Sequence, residues 1–562
     1  MKPLRIVLSV LLVISATLVQ FSCGGGNGSI TDQSTAAATT AAEDEKPVPE
    51  ELLYDPAVPK AKYQATTVYY LDMPASFSDK LTAATLQGLV ANLSDEQILL
   101  RAGAYLNYEK YMKNEWGVKT AVKVDKKATS VAALLTHYKD LLKGYILCSK
   151  DENSESGSVA ISLSGVLGGV VVTPENKDIC EKLGLECLID VSGKDDKWLR
   201  SSEYWDKLNK DIAFEQPLNM APKLVDYAAM CGAYFSFYNG HNAREHTTKY
   251  SFLNAGGIVF GYNNTLGEYE TVASFSSKNI QMVPSDHACN LSTLSGFVRN
   301  TMTQKTAKTE AEAGKKVHTV CLVMSDGDNV QWLMGDFTNG TKWFGNGNRG
   351  KFDMGWGLPA TTIDLVAPMN SYLYDKMTEK DEFIMQLGGL GYTFPSKWSS
   401  TARKNMAAKL AEYMKRTDLH YAEILDDNGF SANAISAFTE QDGIDGLFYI
   451  EYSNYAGKRG QIIWTNDKPA VAARYRLWAN TSDGTIDAIS KAVNRASTDP
   501  TKAASYSFII VHAWSGLSGG SALAEGGITM DAVAKLVDSF GDSVEVVTPT
   551  EFMNRIVANH AQ

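Results

Sequence analysis

Surplus basic charge is missing from this sequence. Lys and Arg number 53 against 64 Asp and Glu, giving a net charge of -11 and an isoelectric point near 5.4. Wrapping nucleic acid or lying on an anionic membrane needs the opposite sign, so neither nucleic acid nor a lipid surface is an expected partner of the folded chain. Long apolar runs are missing too. Beyond the first nineteen residues no stretch is apolar enough to span a bilayer. Cysteine is scarce, with 7 in 562 residues, and no CxxC pair or Cys/His cluster at zinc spacing occurs. No GxGxxG with a following acidic residue exists, which argues against a bound dinucleotide. The reading is therefore no cofactor and no dedicated metal site. What remains is an ordinary globular composition, 44% hydrophobic and 21% charged, in a chain long enough for two or three domains. Small molecules or neutral polymers suit it as ligands. The 10 Trp and 26 Tyr offer the flat faces that sugar clefts use, although most aromatic side chains in any protein are core.

Lys2 and Arg5 precede a short apolar run, Ile6 to Val19, and then Ser22-Cys23. A basic start, a short apolar stretch and a small residue before the cut describe a secretory signal. Cys23, followed by Gly24, Gly25 and Gly26, resembles a bacterial lipoprotein processing site, with Gln20 departing from the usual aliphatic residue. Residues 1–23 are read as that signal, and Cys23 as the lipidation site. The expected location is the bacterial cell envelope, as an exported lipoprotein of the periplasm or outer membrane, touching membrane through its lipid alone. Residues 24–62 are a tether rich in Gly, Ser, Thr, Ala and Pro, with nothing to bury. Cys148 and Cys321 lie in apolar runs as small hydrophobes, leaving Cys180 and Cys187 as the one close pair that could form a bridge.

Residues 63–302 read as an N-terminal Rossmann-like α/β domain. Strand candidates at Thr67–Leu71, Gln97–Leu100, Gly144–Cys148, Gly169–Val172, Leu185–Ile189 and Gly256–Phe260 alternate with helical stretches such as Leu81–Leu93 and Asn176–Leu183. Residues 303–316 are polar and lack an apolar stripe, so they serve as a connector. Residues 317–562 then carry strand-like runs at Val317–Met324, Asp353–Leu358, Glu382–Leu387, Tyr421–Leu425, Leu447–Ile450, Gln461–Trp464, Ser507–Val511 and Val544–Val547, with helix-like stretches between, among them Pro469–Ala479. Eight strands alternating with helices predict an α/β, (β/α)8-like barrel.

The residues that follow each strand gather at one mouth in such a barrel. They are Asp326, Asp328 and Asn329; Trp356; Gly391 and Tyr392; Asp426, Asp427 and Asn428; Glu451 and Tyr452; Trp464; and His512 and Trp514. Loops are generically polar, so any one of these could be a solvated turn. The Trp and His residues fit that reading less well. Paired carboxyl groups, one kept protonated by burial or by a like charge, are what hydrolysis of a glycosidic bond needs. Asp326 or Asp328 facing Asp426 or Glu451 is the expected catalytic pair, with the other mouth residues lining a substrate site. One side of the mouth could be completed by loops of the N-terminal domain.

Gly389, Gly391, Tyr392 and Pro395, at this spacing in GGLGYTFP, resemble the signature of the GxGYxYP family of Bacteroidetes-type bacteria. The sequence departs at Phe394, where the family name carries Tyr. The resemblance covers both folded regions and implies a glycoside hydrolase acting on a poly- or oligosaccharide, without supplying catalytic residues. Two other classes stay open. One is a metal-dependent, polysaccharide-deacetylase-like hydrolase using Asp326, Asp328 and His512, although no HxH or HxxxH spacing occurs. The other is a non-catalytic carbohydrate-binding lipoprotein. The sequence leaves the oligomeric state open.

Overall fold

The computed structural model describes residues 57–101, 106–307, 311, 313–479, 481–514 and 528–560. The signal, Cys23 and nearly all of the tether lie outside these residues. Residues 54–562 form one compact unit. No described helix is long and apolar enough to cross a membrane.

The N-terminal part is built from parallel strands, as expected, but not as one Rossmann-like layer. Three small sheets share the work. The first joins β1 (Thr67–Asp72), β2 (Glu96–Arg101) and β3 (Lys119–Ala121) in the order β2-β1-β3, flanked by an antiparallel ribbon of β4 (Lys123–Val124) and β5 (Lys127–Ala128). The second joins β6 (Gly144–Leu147), β7 (Gly169–Val172) and β8 (Cys187–Asp190) in the order β7-β6-β8. The third runs β10-β9-β11-β12, from β9 (Asn209–Glu215), β10 (Ala233–Ser236), β11 (Ile258–Gly261) and β12 (Gln281–Val283). Local rules explain the pieces well. Thr173 caps the helix Pro174–Lys182 by accepting from the Glu175 amide, Pro174 sits in the first turn, and Gly184 takes a left-handed φ of 78° just past the end. Cys148, Cys180 and Cys321 are buried, and Cys180 and Cys187 are both free thiols rather than a bridge.

The C-terminal part is one curled sheet with helices outside. Its strands are β13 (His318–Met324), β14 (Met354–Leu358), β15 (Asp381–Met385), β16 (Tyr421–Asp426), β17 (Gly446–Glu451), β18 (Ile462–Thr465), β19 (Lys468–Ala472), β20 (Tyr475–Leu477), β21 (Tyr506–Val511) and β22 (Val544–Val547). They are ordered β18-β19-β17-β16-β15-β14-β13-β21-β20, with β22 also on β13. Strands β13 to β17 and β21 are buried along their whole length, as parallel strands covered by helices must be.

Two expectations are corrected here. The segment read as a helix, Pro469–Ala479, is extended: β19 pairs with β17, the Ala473 amide donates to Tyr449 O (2.8 Å), the Arg474 amide donates to Phe508 O (2.8 Å), and β20 pairs with β21. Its Ala- and Arg-rich composition favours helix, but the slot between β17 and β21 demands a strand, and tertiary context wins. The run expected as the sixth strand instead forms β18, an antiparallel edge on β19. In addition, β22 pairs only with residues 318–321 of β13, on the flank whose upper end is taken by β14.

Candidate active site

The turn after β13 is built to hold two carboxylates. Asp326 itself takes the left-handed conformation, with φ 65°, while Gly327 is needed for space: a Cβ there would overlap the backbone of Gly357. Gln386 locks the turn from below. Its Oε1 accepts from the Gly327 amide (2.8 Å) and its Nε2 donates to Met324 O (3.0 Å). Ser325 Oγ accepts from the Ala513 amide (3.0 Å) and donates to Asp326. Asn329 accepts from the Trp332 amide (3.1 Å), and the Val330 amide donates to Pro284 O (3.0 Å), which ties the turn to the N-terminal part.

This turn opens on a cavity of about 340 Å³. Asp326, Asp328, Asn329, Tyr392 and Trp514, all expected at the mouth, line it. Its other wall comes from the N-terminal part through Tyr262, Glu268, Asp286 and His287, with Tyr455 from the loop after β17. None of these was among the expected site residues, and Glu268 matters most. It opens the helix Glu268–Ser276 and accepts from the hydroxyls of Tyr392 (2.8 Å) and Tyr262 (3.5 Å). No motif marks it; only the three-dimensional meeting of two parts of the chain does.

The electrostatics are one-sided. Asp328 is 7% exposed, and burial, with the charges of Asp326 and Glu268 beside it, holds its carboxyl well above the usual range. Burial also raises Glu268, and the neighbouring Asp326 adds to the effect. On β16, Glu423 is fully buried; burial raises it strongly, reinforced by Asp326 and Asp328 and opposed only by the Gln386 amide beside it. A charged residue inside the apolar run YAEIL was the sequence signal that could have revealed it. Asp326 is the charge that its neighbours share. It acts on Asp328, Glu268 and Glu423, and on His512, whose pKa burial lowers. Among the described residues no basic side chain forms an ion pair with Asp326, Asp328, Glu268 or Glu423, and no three His, Cys, Asp or Glu side chains are grouped to hold a metal ion.

The remaining expected residues lie elsewhere. Asp426 does not line the cavity; it accepts from the Ser396 amide (2.8 Å), the Ser396 hydroxyl (2.7 Å) and the Asp427 amide (2.8 Å). Glu451 accepts from the Asn428 amide (2.7 Å) and the Tyr449 hydroxyl (3.2 Å), with Lys458 at 3.5 Å. Asp427 is held by Tyr269 (2.6 Å) and Lys397 (3.3 Å), which lower its pKa, and Tyr452 packs on Tyr269 and Phe394. His512 is stacked flat on Trp478, 4.0 Å between ring centres, behind Tyr455. Trp356 is fully buried between Phe337 and Phe344 and donates to Asp381 (2.9 Å), a core role. Trp464 is on β18 opposite Pro469, at the end of β19 away from the mouth.

The glycine-rich loop joins the two parts of the chain. Met282 and Tyr392 exchange backbone hydrogen bonds (3.0 and 2.6 Å), an antiparallel bridge onto β12, and a Cβ on Gly391 would press on Met282 O at 2.6 Å. Phe394 is fully buried against Tyr269, Tyr392 and Tyr452.

The class of structure is thus a curled α/β sheet with an acidic cavity at the ends of its strands, roofed by a second part of the chain. The chain belongs to the GxGYxYP family. Residues 316–557 match the "GxGYxYP putative glycoside hydrolase C-terminal domain", residues 142–208 the "GxGYxYP_N second domain" and residues 210–296 the "GxGYxYP third domain". Among solved structures, the crystal structure of a "putative hydrolase" from Bacteroides thetaiotaomicron is similar at 27% identity and a TM-score of 0.77, covering 89% of this chain and 96% of that one. The 4-alpha-glucanotransferase from Thermococcus litoralis also aligns, at 9% identity and a TM-score of 0.30 over 42% of this chain and 40% of that one, too distant to carry an argument. No curated protein matches.

Proposed function

We propose that the chain is a glycoside hydrolase whose chemistry sits on the turn Ser325–Asp328, at the mouth of a barrel closed through Lys468–Leu477. The carrying observation is that Asp328 is buried beside Asp326 and Glu268, which raises its pKa and favours the protonated form that a general acid needs. Asp328 is the general acid that gives its proton to the glycosidic oxygen as the bond breaks. Asp326 takes the partner role, stabilising or capturing the developing positive charge at the sugar carbon, directly or through an activated water. Trp514, which is half-buried, offers a face for a sugar ring, and Tyr392 and Asn329 line the same cavity. Glu268 sets the acid's pKa from the opposite part of the chain. Asp426 and Glu451 shape the neighbouring loops.

The test is release of reducing ends from a glycan panel by the purified protein, its Asp328→Asn and Asp326→Asn variants, and wild type with chelator. Activity in wild type, unchanged by chelator and lost in both variants, is expected. Activity abolished by chelator would overturn the metal-free assignment. For location we propose a lipid anchor on Cys23 in the cell envelope, on the strength of the signal-like start. Labelled palmitate should mark the wild type and not Cys23→Ser.

A further inference from the structure

A second cavity, of about 560 Å³, lies on the far side of the segment that carries Tyr455. Tyr455 lines the acidic cavity, while its neighbours Asn454 and Ala456 line the second one. The chemistry reverses across that thin wall. Arg459, Arg474 and Arg476 line the second cavity, with Asp483 as the single acidic residue. In a protein of net charge -11 this concentration of guanidinium groups is out of character.

Each arginine is held differently. Arg474 is fixed by carbonyls: its Nε donates to Tyr506 O (2.9 Å) and its Nη2 to Ala503 O (2.8 Å) and Gly460 O (3.3 Å). Gly460, with φ 73°, leaves room for it, since a Cβ there would overlap the guanidinium. Arg476 donates to Asn454 O and to Asp483 (3.0 Å), while its buried Nε has no hydrogen-bond partner. A buried donor without a partner is costly unless a ligand supplies an acceptor. Arg459 is exposed and forms no ion pair among the described residues. Two anchored guanidinium groups and one free arm make a cradle for a planar or tetrahedral oxyanion.

We infer that this cavity is a subsite for an anionic substituent, a carboxylate or a sulfate ester, on a saccharide that also reaches the acidic cavity, so that the preferred substrates are acidic glycans. The inference rests on the hydrolase reading for the second half of that statement, while anion binding stands by itself. Two measurements separate them. Inorganic sulfate should raise the melting temperature of the wild type and of Asp328→Asn, but not of Arg459→Gln or Arg476→Gln. In the Asp328→Asn background, calorimetry with a galacturonic acid hexasaccharide, a sulfated galactan hexasaccharide and cellohexaose should show at least one anionic probe binding more tightly than the neutral one. That preference should fall roughly ten-fold in Arg459→Gln, whose side chain forms no ion pair among the described residues. The two anionic probes distinguish carboxylate from sulfate. Equal or weaker affinity for both anionic probes, with no response to sulfate, would overturn the subsite. Acidic-glycan binding without turnover by wild type would leave the subsite standing and overturn the hydrolase reading.

Discussion

Two groups of carboxylates stand at strand ends of one sheet, one after β13 and the other on β16 and β17, and they are held in different ways. Asp426 and Glu451 close β16 and β17 with their oxygens already engaged by amides and hydroxyls of the adjoining loops. Asp326, Asp328 and Glu268 line one cavity, Glu423 is buried within reach of the charges of Asp326 and Asp328, and none of the four forms an ion pair with a basic side chain among the described residues. In the first group every donor in reach is used, and around Asp426 these hydrogen bonds offset part, though not all, of the burial that raises its pKa. The second gathers acids where little water reaches, and the pKa values of Asp328, Glu268 and Glu423 are all raised by that burial. Perturbed groups of the second kind mark functional sites more often than satisfied ones. Residue type alone does not separate the two groups; partners do.

The largest expected effect falls on the strained group. Asp328→Asn keeps shape and burial but removes the transferable proton. We expect turnover to fall about 10²–10⁴-fold with an unchanged melting temperature, measured by reducing-end release and thermal denaturation. Turnover within two-fold of wild type would place the chemistry elsewhere.

Asp426→Ala should show the reverse pattern. Three donors, including the Ser396 and Asp427 amides, would be left without their acceptor in a buried place. A stability loss of about 2–3 kcal/mol is expected, by denaturant titration, with activity falling only as the fold does. A stable but inactive Asp426→Ala would erase the distinction drawn above and return Asp426 to the catalytic pair.

How much of this could be read from the sequence follows the same division. The strand Val317–Met324 and the acids after it were legible, because an apolar run ending in polar residues has one reading in a parallel sheet. The helix Pro174–Lys182, with its cap, proline and glycine, was legible from local rules. The strand β19–β20 was not: KPAVAARYRLWA has helical composition, and only the gap between β17 and β21 makes it extended. Trp464 was placed at the mouth for the same reason, one strand too early. Glu268 was out of reach, since it meets Asp326 across some sixty residues of chain and three other elements. The glycine-rich motif was legible as a string, but its work, an antiparallel bridge to Met282 that presents Tyr392 to Glu268, appears only in three dimensions.

A finer test concerns pH. Activity that needs protonated Asp328 is lost as pH rises through its raised pKa. Glu268 is one of the negative neighbours that hold this value up. Glu268→Gln removes that charge, so Asp328 gives up its proton more readily and the alkaline limb of the kcat profile should move to lower pH. Movement to higher pH, or none, would show that Glu268 does not act on Asp328.

The smallest effect should come from Tyr392→Phe. The ring stays packed against Phe394 and the bridge to Met282 uses backbone atoms, so the seam between the two parts of the chain is kept. Only the hydroxyl that donates to Glu268 is lost. That bond favours the charged form of Glu268, so without it Glu268 protonates more readily and presses less on Asp328. The alkaline limb should shift in the same direction as in Glu268→Gln but less far, and kcat at neutral pH should drop by about ten-fold or less, a cost of roughly 1 kcal/mol. Phe394→Tyr is the matching control. It restores the residue in the family's name at a fully buried position among Tyr269, Tyr392 and Tyr452, where the added hydroxyl affects packing and leaves Glu268 alone. Its pH profile should therefore overlay the wild type. A shift in Phe394→Tyr as large as that in Tyr392→Phe would mean that the aromatic cluster, and not the single hydroxyl, tunes the acids.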